Sequence, residues 1–273
     1  MTINPVRNFA FQGRQKGISN GVNLEMSNNL IIKESHYYYF QRLNSNNLVA
    51  VFSDRSLDLG FHNNPQMKGN RKRLLDDLAI DYQDLVCMKQ PHNNQVKRAE
   101  VSDKGHGALD YESALDTFDA LITNEKNLAL AILTADCLPI FFFDPEHNAI
   151  GLCHAGWRPT KGKIAANTIN KMKEELNTRP EDLIVGFGPC ICKDCYEVGK
   201  EFKNYFSDGL IEKEEKFYLD LIKLNRIQLQ EAGVRTDNII GSSFCTSCHN
   251  DEFFSYRKEK TFCGRMISLI MLK

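Results

Sequence analysis

Two histidines and one cysteine stand at the ends of apolar segments, where metal chemistry would need them. His92 follows a short apolar strand that a proline ends, Cys137 precedes a longer apolar run, and His154 directly follows another. Two imidazoles and one thiolate suit Zn²⁺, and three protein ligands leave the fourth position of a tetrahedral ion open for water or substrate. Spacing alone leaves two other interpretations open, since Cys137 could be a buried core thiol and either histidine could be structural.

The segments that carry Cys137 and His154 are predicted to form a hairpin. Two apolar runs flank residues 145–148, which are turn formers. Pairing of the two residues beside this turn puts His154 opposite Pro139, with Cys137 two residues further along on the same face. That diagonal spans roughly 7–8 Å, so the two side chains could converge on one ion. A register shift of one residue would place them on opposite faces.

Charged residues near these three extend the candidate site. Asp136 adjoins Cys137 and is a candidate to orient a ligand or to act as a base. Arg158 stands where a helix is predicted to begin, and both arginine and helix N-termini bind phosphate. Arg257 and Arg265 are candidates to help in the same way, with surface or structural salt bridges as the alternative for each. The candidates for substrate binding are Arg55, Arg71 and Arg265.

The chain has nine cysteines, an odd number that does not favour a disulfide framework. Five of them form two groups, Cys190, Cys192 and Cys195 in one and Cys245 and Cys248 in the other. Two CxxC pairs some fifty residues apart are typical of a zinc site, and an iron–sulfur site is a second possibility. Free, mostly buried thiols around a tight Gly-Pro turn are the alternative.

Charge balance and the length of the apolar runs exclude several classes of protein. The 273 residues carry 34 basic and 35 acidic side chains, and a net charge of −1 argues against general nucleic-acid binding. No apolar run reaches the ~18 residues of a membrane span, and the first residues lack an apolar signal core. We therefore expect a cytoplasmic protein with no membrane partner, with a flexible arm at 1–30 and a single catalytic domain at 31–273.

Strands outnumber helices in the apolar pattern. Helices are predicted from Asn64 and Pro65, from Pro159, and over residues 220–232, and residues 102–117 are predicted to form a polar loop that could act as a lid. Strands are predicted at 48–52, 85–88, 120–123, 140–143, 149–153, 183–187, 239–240, 253–256 and 266–272. Several strands are antiparallel neighbours, which favours an α/β domain with a mixed sheet over a doubly wound one.

Taken together, the motifs resemble the laccase-domain family, first called multicopper polyphenol oxidases and now described as purine nucleoside phosphorylases. The resemblance runs from about residue 48 to the C-terminus. Its segments are TADCLPI at 134–140, HAGWR at 154–158, SLDLG at 56–60, NR at 70–71, QPH at 90–92, GPCI at 188–191, CYEVG at 195–199, DL at 220–221 with Asn225, CT at 245–246, FFSYR at 253–257 and GRM at 264–266.

The resemblance implies that His92, Cys137 and His154 are the zinc ligands. It also implies a layered α/β sandwich with largely antiparallel sheets, related to the catalytic domain of cytotoxic necrotizing factor. The family carries cysteines near 190–195 without a second metal, which favours free thiols there. The chain departs from the family pattern at Asp58, Pro91, Asn93 and Pro159, and these departures bear on substrate choice.

The implied activity is zinc-dependent phosphorolysis of adenosine, inosine and S-methyl-5'-thioadenosine, with adenosine deamination besides. Purine nucleosides and phosphate would be the only partners of a monomer or homodimer. Copper-dependent polyphenol oxidation is an alternative, although seven histidines are few for a multicopper cluster. A metal-free cysteine hydrolase with Cys137 as nucleophile and His154 as base is another. The last alternative is a protein that binds zinc and a partner but has no enzymatic activity.

Overall fold

The computed structural model describes residues 30–45, 47–61, 64–241 and 244–273. The predicted arm at 1–30 lies outside the described residues, apart from Leu30. Within the described ranges, no helix is long and apolar enough to cross a membrane.

Numbered along the chain, the strands of the first sheet are β1 (Ile31–Lys33), β2 (Tyr37–Phe40), β3 (Leu48–Ser53), β4 (Leu85–Cys87), β7 (Ala129–Thr134) and β15 (Met266–Leu272). Within the described residues these six strands lie in the order β1-β2-β3-β15-β7-β4. Their pairs are antiparallel except at one edge, where β4 runs parallel to β7.

The strands of the second sheet are β5 (Val96–Arg98), β6 (Ala120–Thr123), β8 (Leu138–Asp144), β9 (Ala149–Ala155), β10 (Ile184–Phe187) and β14 (Ile239–Gly241). In the part of the chain that the structure describes, these six strands lie in the order β14-β10-β8-β9-β6-β5, with parallel pairs only at the two edges. A small antiparallel sheet contains β11 (Glu197–Val198), β13 (Lys216–Leu219) and β12 (Leu210–Lys213).

The two large sheets pack face to face, with helices on their outer faces. Along β8, Phe141 points into the core between the sheets, whereas Phe142 packs in a separate core against helical residues. Because both faces of the central strands are covered, they are continuous apolar runs rather than alternating ones. The expected α/β sandwich with mixed, largely antiparallel sheets is confirmed.

The helices lie mostly where the apolar pattern predicts them. Among the described residues, the α-helices are α1 (Met67–Asp77), α2 (Trp157–Lys161), α3 (Ile164–Leu176), α4 (Leu221–Glu231) and α5 (Tyr256–Glu259). Helix α1 begins at Met67, two residues after the predicted Pro65, and its buried face carries Met67, Arg71, Leu74 and Leu75. Helix α4 begins behind Asp220, whose carboxylate accepts a hydrogen bond from the backbone N–H of Lys223.

Two predicted elements were wrong. The helix expected from Pro159 onward is two helices, because Lys163 adopts a left-handed conformation (φ 62°) that ends the first and begins the second. The strand expected at 253–256 is absent, and α5 begins at Tyr256 instead. The apolar pair at 253–254 is buried through packing between layers, which periodicity cannot distinguish from a strand.

Candidate metal centre

The hairpin of β8 and β9 places two of the three candidate ligands. Asp144 pairs with Ala149 and Pro139 with His154, which is the predicted register. His154 therefore lies in β9 and is 3% exposed, whereas Cys137 precedes β8 and is half-buried.

His92 comes from the first sheet, on the loop that follows β4. Its backbone and that of Gln90 are left-handed, with φ of 65° and 53°. The Gln90 amide fixes this loop because it donates to the Leu133 carbonyl and accepts from the Leu133 N–H, both at 2.8 Å. The His92 ring meets the edge of the His154 ring, with centroids 4.8 Å apart. Side chains from both sheets thus converge at one point.

The ligand atoms of His92, Cys137 and His154 all lie within 4.8 Å of one another. A tetrahedral zinc would need nitrogen and sulfur ligands about 3.3–3.6 Å apart, which small side-chain rotations would provide. A Cβ at Gly156 would lie 2.9 Å from the Cys137 sulfur and 3.5 Å from the His92 ring. Glycine at this position therefore leaves room for the three ligands.

Asp119 holds His154 in place, and sequence reasoning missed it. Its Oδ1 is 2.7 Å from His154 Nδ1, and its Oδ2 accepts from the backbone N–H of Asn93 at 2.7 Å. This leaves Nε2 of His154 as the ligand atom, as in carboxylate–histidine–metal sites. An ionisable residue directly before the apolar strand β6 was the available signal, but its partner is fixed only by the pairing of β6 with β9.

The thiol and imidazole of this centre also shift each other's protonation. Burial alone would raise the pKa of Cys137, but the positive charge of His154 and hydrogen bonds from both histidines outweigh burial and lower that pKa to about 6. Burial would lower the pKa of His154, whereas the Cys137 thiolate and Asp119 raise it to about 10. In the metal-free protein the two groups form a thiolate–imidazolium pair, and the thiolate is the form that binds a cation.

The three ligands lie in a pocket of about 1400 Å³. Its walls carry more positive than negative side chains. The cationic lining residues are Lys89, Arg158, Arg257, Lys260 and Arg265, against Asp58 and Asp136. Aromatic lining residues are Phe61, Tyr111, Trp157, Tyr196, Tyr256 and Phe262. This combination suits a ligand with an anionic group and a flat apolar ring.

Residues 47–273 match the family described as multi-copper polyphenol oxidoreductase laccase. The chain belongs to this laccase-domain family. It is 35% identical over 227 residues to the purine nucleoside phosphorylase YlmD of Geobacillus stearothermophilus, covering 79% of this chain and 83% of the relative. It is 34% identical over 215 residues to the adenosine deaminase RL5 of an unknown prokaryotic organism, covering 74% and 80%.

Two solved structures share the fold of this chain. The crystal structure of YlmD from Geobacillus stearothermophilus has a TM-score of 0.86 at 30% identity, covering 90% of this chain and 99% of that one. The Bacillus licheniformis hypothetical protein YfiH has a TM-score of 0.83 at 31% identity, covering 87% and 97%. The family inferred from the motifs is therefore confirmed.

Two departures from the laccase-domain motifs fit this structure without distortion. Pro159 is the third residue of α2, where the missing N–H would have no partner within the helix. Asn93 contributes its backbone N–H to Asp119, which other residues could also do, and its amide donates to the Thr117 carbonyl at 2.6 Å.

The remaining predicted site residues of this laccase-domain chain separate into two sets. Arg158 and Arg265 line the pocket, and the Arg158 guanidinium stacks over the Trp157 ring at 4.3 Å. Arg55 and Arg71 are not among the lining residues. Arg71 is 1% exposed and donates to the carbonyls of three loop residues, Leu59, Gly107 and Ala108.

Arg55 is held by the Asn250 carbonyl and Glu259, with its guanidinium over the Phe254 ring at 4.8 Å. Any influence of Arg55 and Arg71 on a substrate therefore passes through the loops that they hold.

Asp136 lines the pocket, but its carboxylate is already engaged. Oδ1 accepts from the hydroxyls of Thr246 at 2.6 Å and Ser255 at 2.8 Å, and Oδ2 accepts from the backbone N–H of Arg257 at 2.6 Å. The backbone of Asp136 is left-handed, with φ of 88°. The three donors fix this strained turn, and the turn fixes Cys137.

Proposed function

We propose that this protein is a zinc-dependent purine nucleoside phosphorylase that acts on adenosine, inosine and S-methyl-5'-thioadenosine and also deaminates adenosine. The observation that carries the proposal is the convergence of His92, Cys137 and His154 in a cationic pocket. Relatives named purine nucleoside phosphorylase and adenosine deaminase support the same reaction class.

The donor set supports zinc as the metal. Two imidazoles and a thiolate are common zinc ligands, and Asp119 orients His154 as a zinc site requires. His154 is buried, Cys137 is half-buried and His92 is exposed, so the side of the metal centre that carries His92 faces the pocket. Zinc held there would supply Lewis-acid activation of water or of a substrate oxygen.

Phosphate binding is supported by Arg158. Among the described residues, no hydrogen bond joins its guanidinium to a protein acceptor, and its stacking on Trp157 keeps it in the pocket wall. Phosphorolysis passes through an oxocarbenium-like state at the anomeric carbon, so phosphate must be held against the ribose. We assign Arg158 to hold that phosphate, assisted by Arg265, which also lines the pocket.

Asp136 contributes by position. The three hydrogen bonds that its carboxylate accepts engage both oxygens with protein donors, so neither oxygen is free to face a substrate. We therefore assign Asp136 to hold the Cys137 turn against the segments of Thr246 and Arg257, instead of the proton transfer expected from its place in the sequence.

The test is chromatography of reactions with the three nucleosides, with and without inorganic phosphate. The zinc-loaded protein should release free base only with phosphate and should release ammonia from adenosine without it. His154→Ala should lose both activities. The matched control is His147→Ala, which removes an imidazole paired with a carboxylate on the same hairpin but outside the pocket. Zinc-loaded protein that releases neither product would overturn the proposal.

A metal-free cysteine hydrolase is a second candidate because Cys137 and His154 form a thiolate–imidazolium pair, in which His154 has acted as the base that takes the proton from the nucleophilic thiol. Stoichiometric zinc that protects Cys137 from alkylation argues against it, whereas hydrolysis by zinc-free protein would support it. Copper clusters are less well supported, since His92 and His154 are the only described histidines in a group of possible ligands.

A further inference from the structure

Four cysteines outside the pocket centre form a second group of possible metal ligands. The sulfur atoms of Cys192, Cys195, Cys245 and Cys248 all lie within 4.8 Å of one another. Cys190, which the sequence places beside them, is not a member. It is 1% exposed, and its backbone forms a parallel bridge with that of Cys245.

The backbone brings two CxxC turns together, one from each side of this bridge. In the first turn, the N–H groups of Cys195 and Tyr196 donate to the Cys192 carbonyl at 3.0 Å. Across the bridge, the N–H groups of Cys192 and Cys248 donate to the Cys245 sulfur at 3.2 and 3.4 Å. Hydrogen bonds of this kind stabilise a thiolate over a thiol, which is the form that ligates metals.

The sulfur positions fit one tetrahedral ion. Four sulfurs at ~2.3 Å from zinc lie about 3.8 Å from one another, and the sulfurs of Cys195 and Cys248 are 3.4 Å apart. A disulfide between those two would engage only half of the group and leave the thiols of Cys192 and Cys245 beside it. An iron–sulfur cluster needs its sulfur ligands further apart than one ion does.

We propose that this chain binds a second Zn²⁺ ion, separate from the pocket centre, through four thiolates, those of Cys192, Cys195, Cys245 and Cys248. Four protein ligands leave no open position, so this ion is structural. Of the two interpretations that the sequence left open, metal binding is the one that this geometry supports.

The ion would join two loops that are far apart in the chain and together build one wall of the pocket. The loop between β10 and β11 carries Ile191 and Tyr196, and the segment before and within α5 carries Arg257, all three of which line the pocket. Arg257 already donates to the Glu197 carbonyl at 2.8 Å. A metal crosslink reduces the conformational freedom of both loops and so stabilises the wall.

The same two loops hold Asp136. The Ile191 N–H donates to the Asp136 carbonyl at 2.9 Å, and the Thr246 hydroxyl, next to Cys245, donates to its carboxylate. The second ion would therefore also support the turn that presents Cys137, without contacting the pocket ligands itself.

Metal analysis of the purified full chain tests the proposal. Wild-type protein should carry two Zn²⁺ ions per chain by plasma mass spectrometry. Cys137→Ser and Cys248→Ser should each lose one, and the double variant should lose both. Cys263→Ser, a cysteine outside both groups, is the control for metal content and should retain two. These counts do not depend on turnover, so failure of the proposed enzymatic function would leave them unchanged.

Cobalt spectroscopy of the wild-type chain gives a second readout that needs no variant to fold. Co²⁺ bound by four thiolates should add strong thiolate-to-metal absorption to that of a site with one thiolate, and Cys195→Ser should remove that addition. One metal ion per wild-type chain, unchanged in Cys248→Ser, would overturn the proposal. So would a Cys195–Cys248 disulfide in protein whose thiols were trapped before purification.

Discussion

Replacement of Asp119 by asparagine should weaken metal binding at the pocket centre while the protein still folds. Asp119 is fully buried and accepts two hydrogen bonds at 2.7 Å, from His154 Nδ1 and from the Asn93 N–H. An asparagine amide has the same shape but only one acceptor oxygen. If that oxygen faces His154, the amide NH₂ faces the Asn93 N–H, and two hydrogen-bond donors then meet without an acceptor.

In the opposite orientation the NH₂ donates to His154 Nδ1, which then carries no proton. The remaining proton moves to Nε2, the atom that should bind the metal, so the imidazole is in the wrong tautomer. Both orientations are unfavourable, and loss of such a carboxylate typically lowers metal affinity 10–100-fold, or about 1.4–2.7 kcal/mol.

The assay is competition with a chromogenic chelator, which measures release of the zinc at the pocket centre. That ion is identified as the one that Cys137→Ser lacks. Asp144→Asn is the matched control because Asp144 is also fully buried and pairs with a histidine, His147, at 2.9 Å on the far end of the hairpin. Asp144→Asn should bind this ion as wild type does. Unchanged affinity in Asp119→Asn, or an equal loss in both variants, would refute the reasoning.

Four further predictions concern the pocket and the loops around it. Gly156→Ala should fold, since φ at this residue is −72°, but its new Cβ, 2.9 Å from the Cys137 sulfur, should reduce zinc affinity by roughly tenfold or more in the same chelator assay; wild-type affinity would contradict this. In metal-stripped protein, iodoacetamide should alkylate Cys137 with a half-maximal rate near pH 6, because its pKa is about 6, and zinc should protect it. The pKa of Cys137 is lowered to about 6 and that of His154 is raised to about 10, so between pH 6 and pH 10 the ion pair should stabilise metal-free wild type over Cys137→Ala. In thermal denaturation the difference between the two proteins should fall below pH 6, where the thiolate is protonated, and above pH 10, where the imidazolium loses its proton. A difference that does not change with pH would argue against the pair. Arg158→Ala should raise the KM for phosphate roughly tenfold at constant melting temperature, whereas Arg71→Ala, which leaves three buried carbonyls without a donor, should lower the free energy of unfolding by about 3 kcal/mol in urea titration; the reverse pattern would exchange their assigned roles.

Local pattern was sufficient for the hairpin of β8 and β9. Residues 145–148 are turn formers between two apolar runs, so the pairing of Pro139 with His154 follows from a short loop and period-two geometry. The three candidate ligands could be named because each lies in a short motif that is recognisable from a few consecutive residues.

Contacts between distant segments could not be read from the sequence. The link from Asp119 to His154 joins residues 35 apart and depends on which strands are neighbours in the second sheet. The three donors that engage Asp136 come from 110 to 121 residues away, and they change its assignment from base to positioning residue. The break at Lys163 depends on one backbone conformation, which the apolar periodicity of α3 does not reveal.

The sequence by itself therefore determined the fold class, the family and the residue types of the pocket centre, because steric preference, apolar periodicity and short motifs act over a few residues. Only the tertiary structure decided which charged groups reach the pocket and which cysteines meet, since those outcomes depend on the packing of two sheets and their loops. Cys190 and Cys192 show the difference most plainly. They are two residues apart in the chain, yet one is buried in the core and the other faces three sulfur atoms, two of which lie 53 and 56 residues further along.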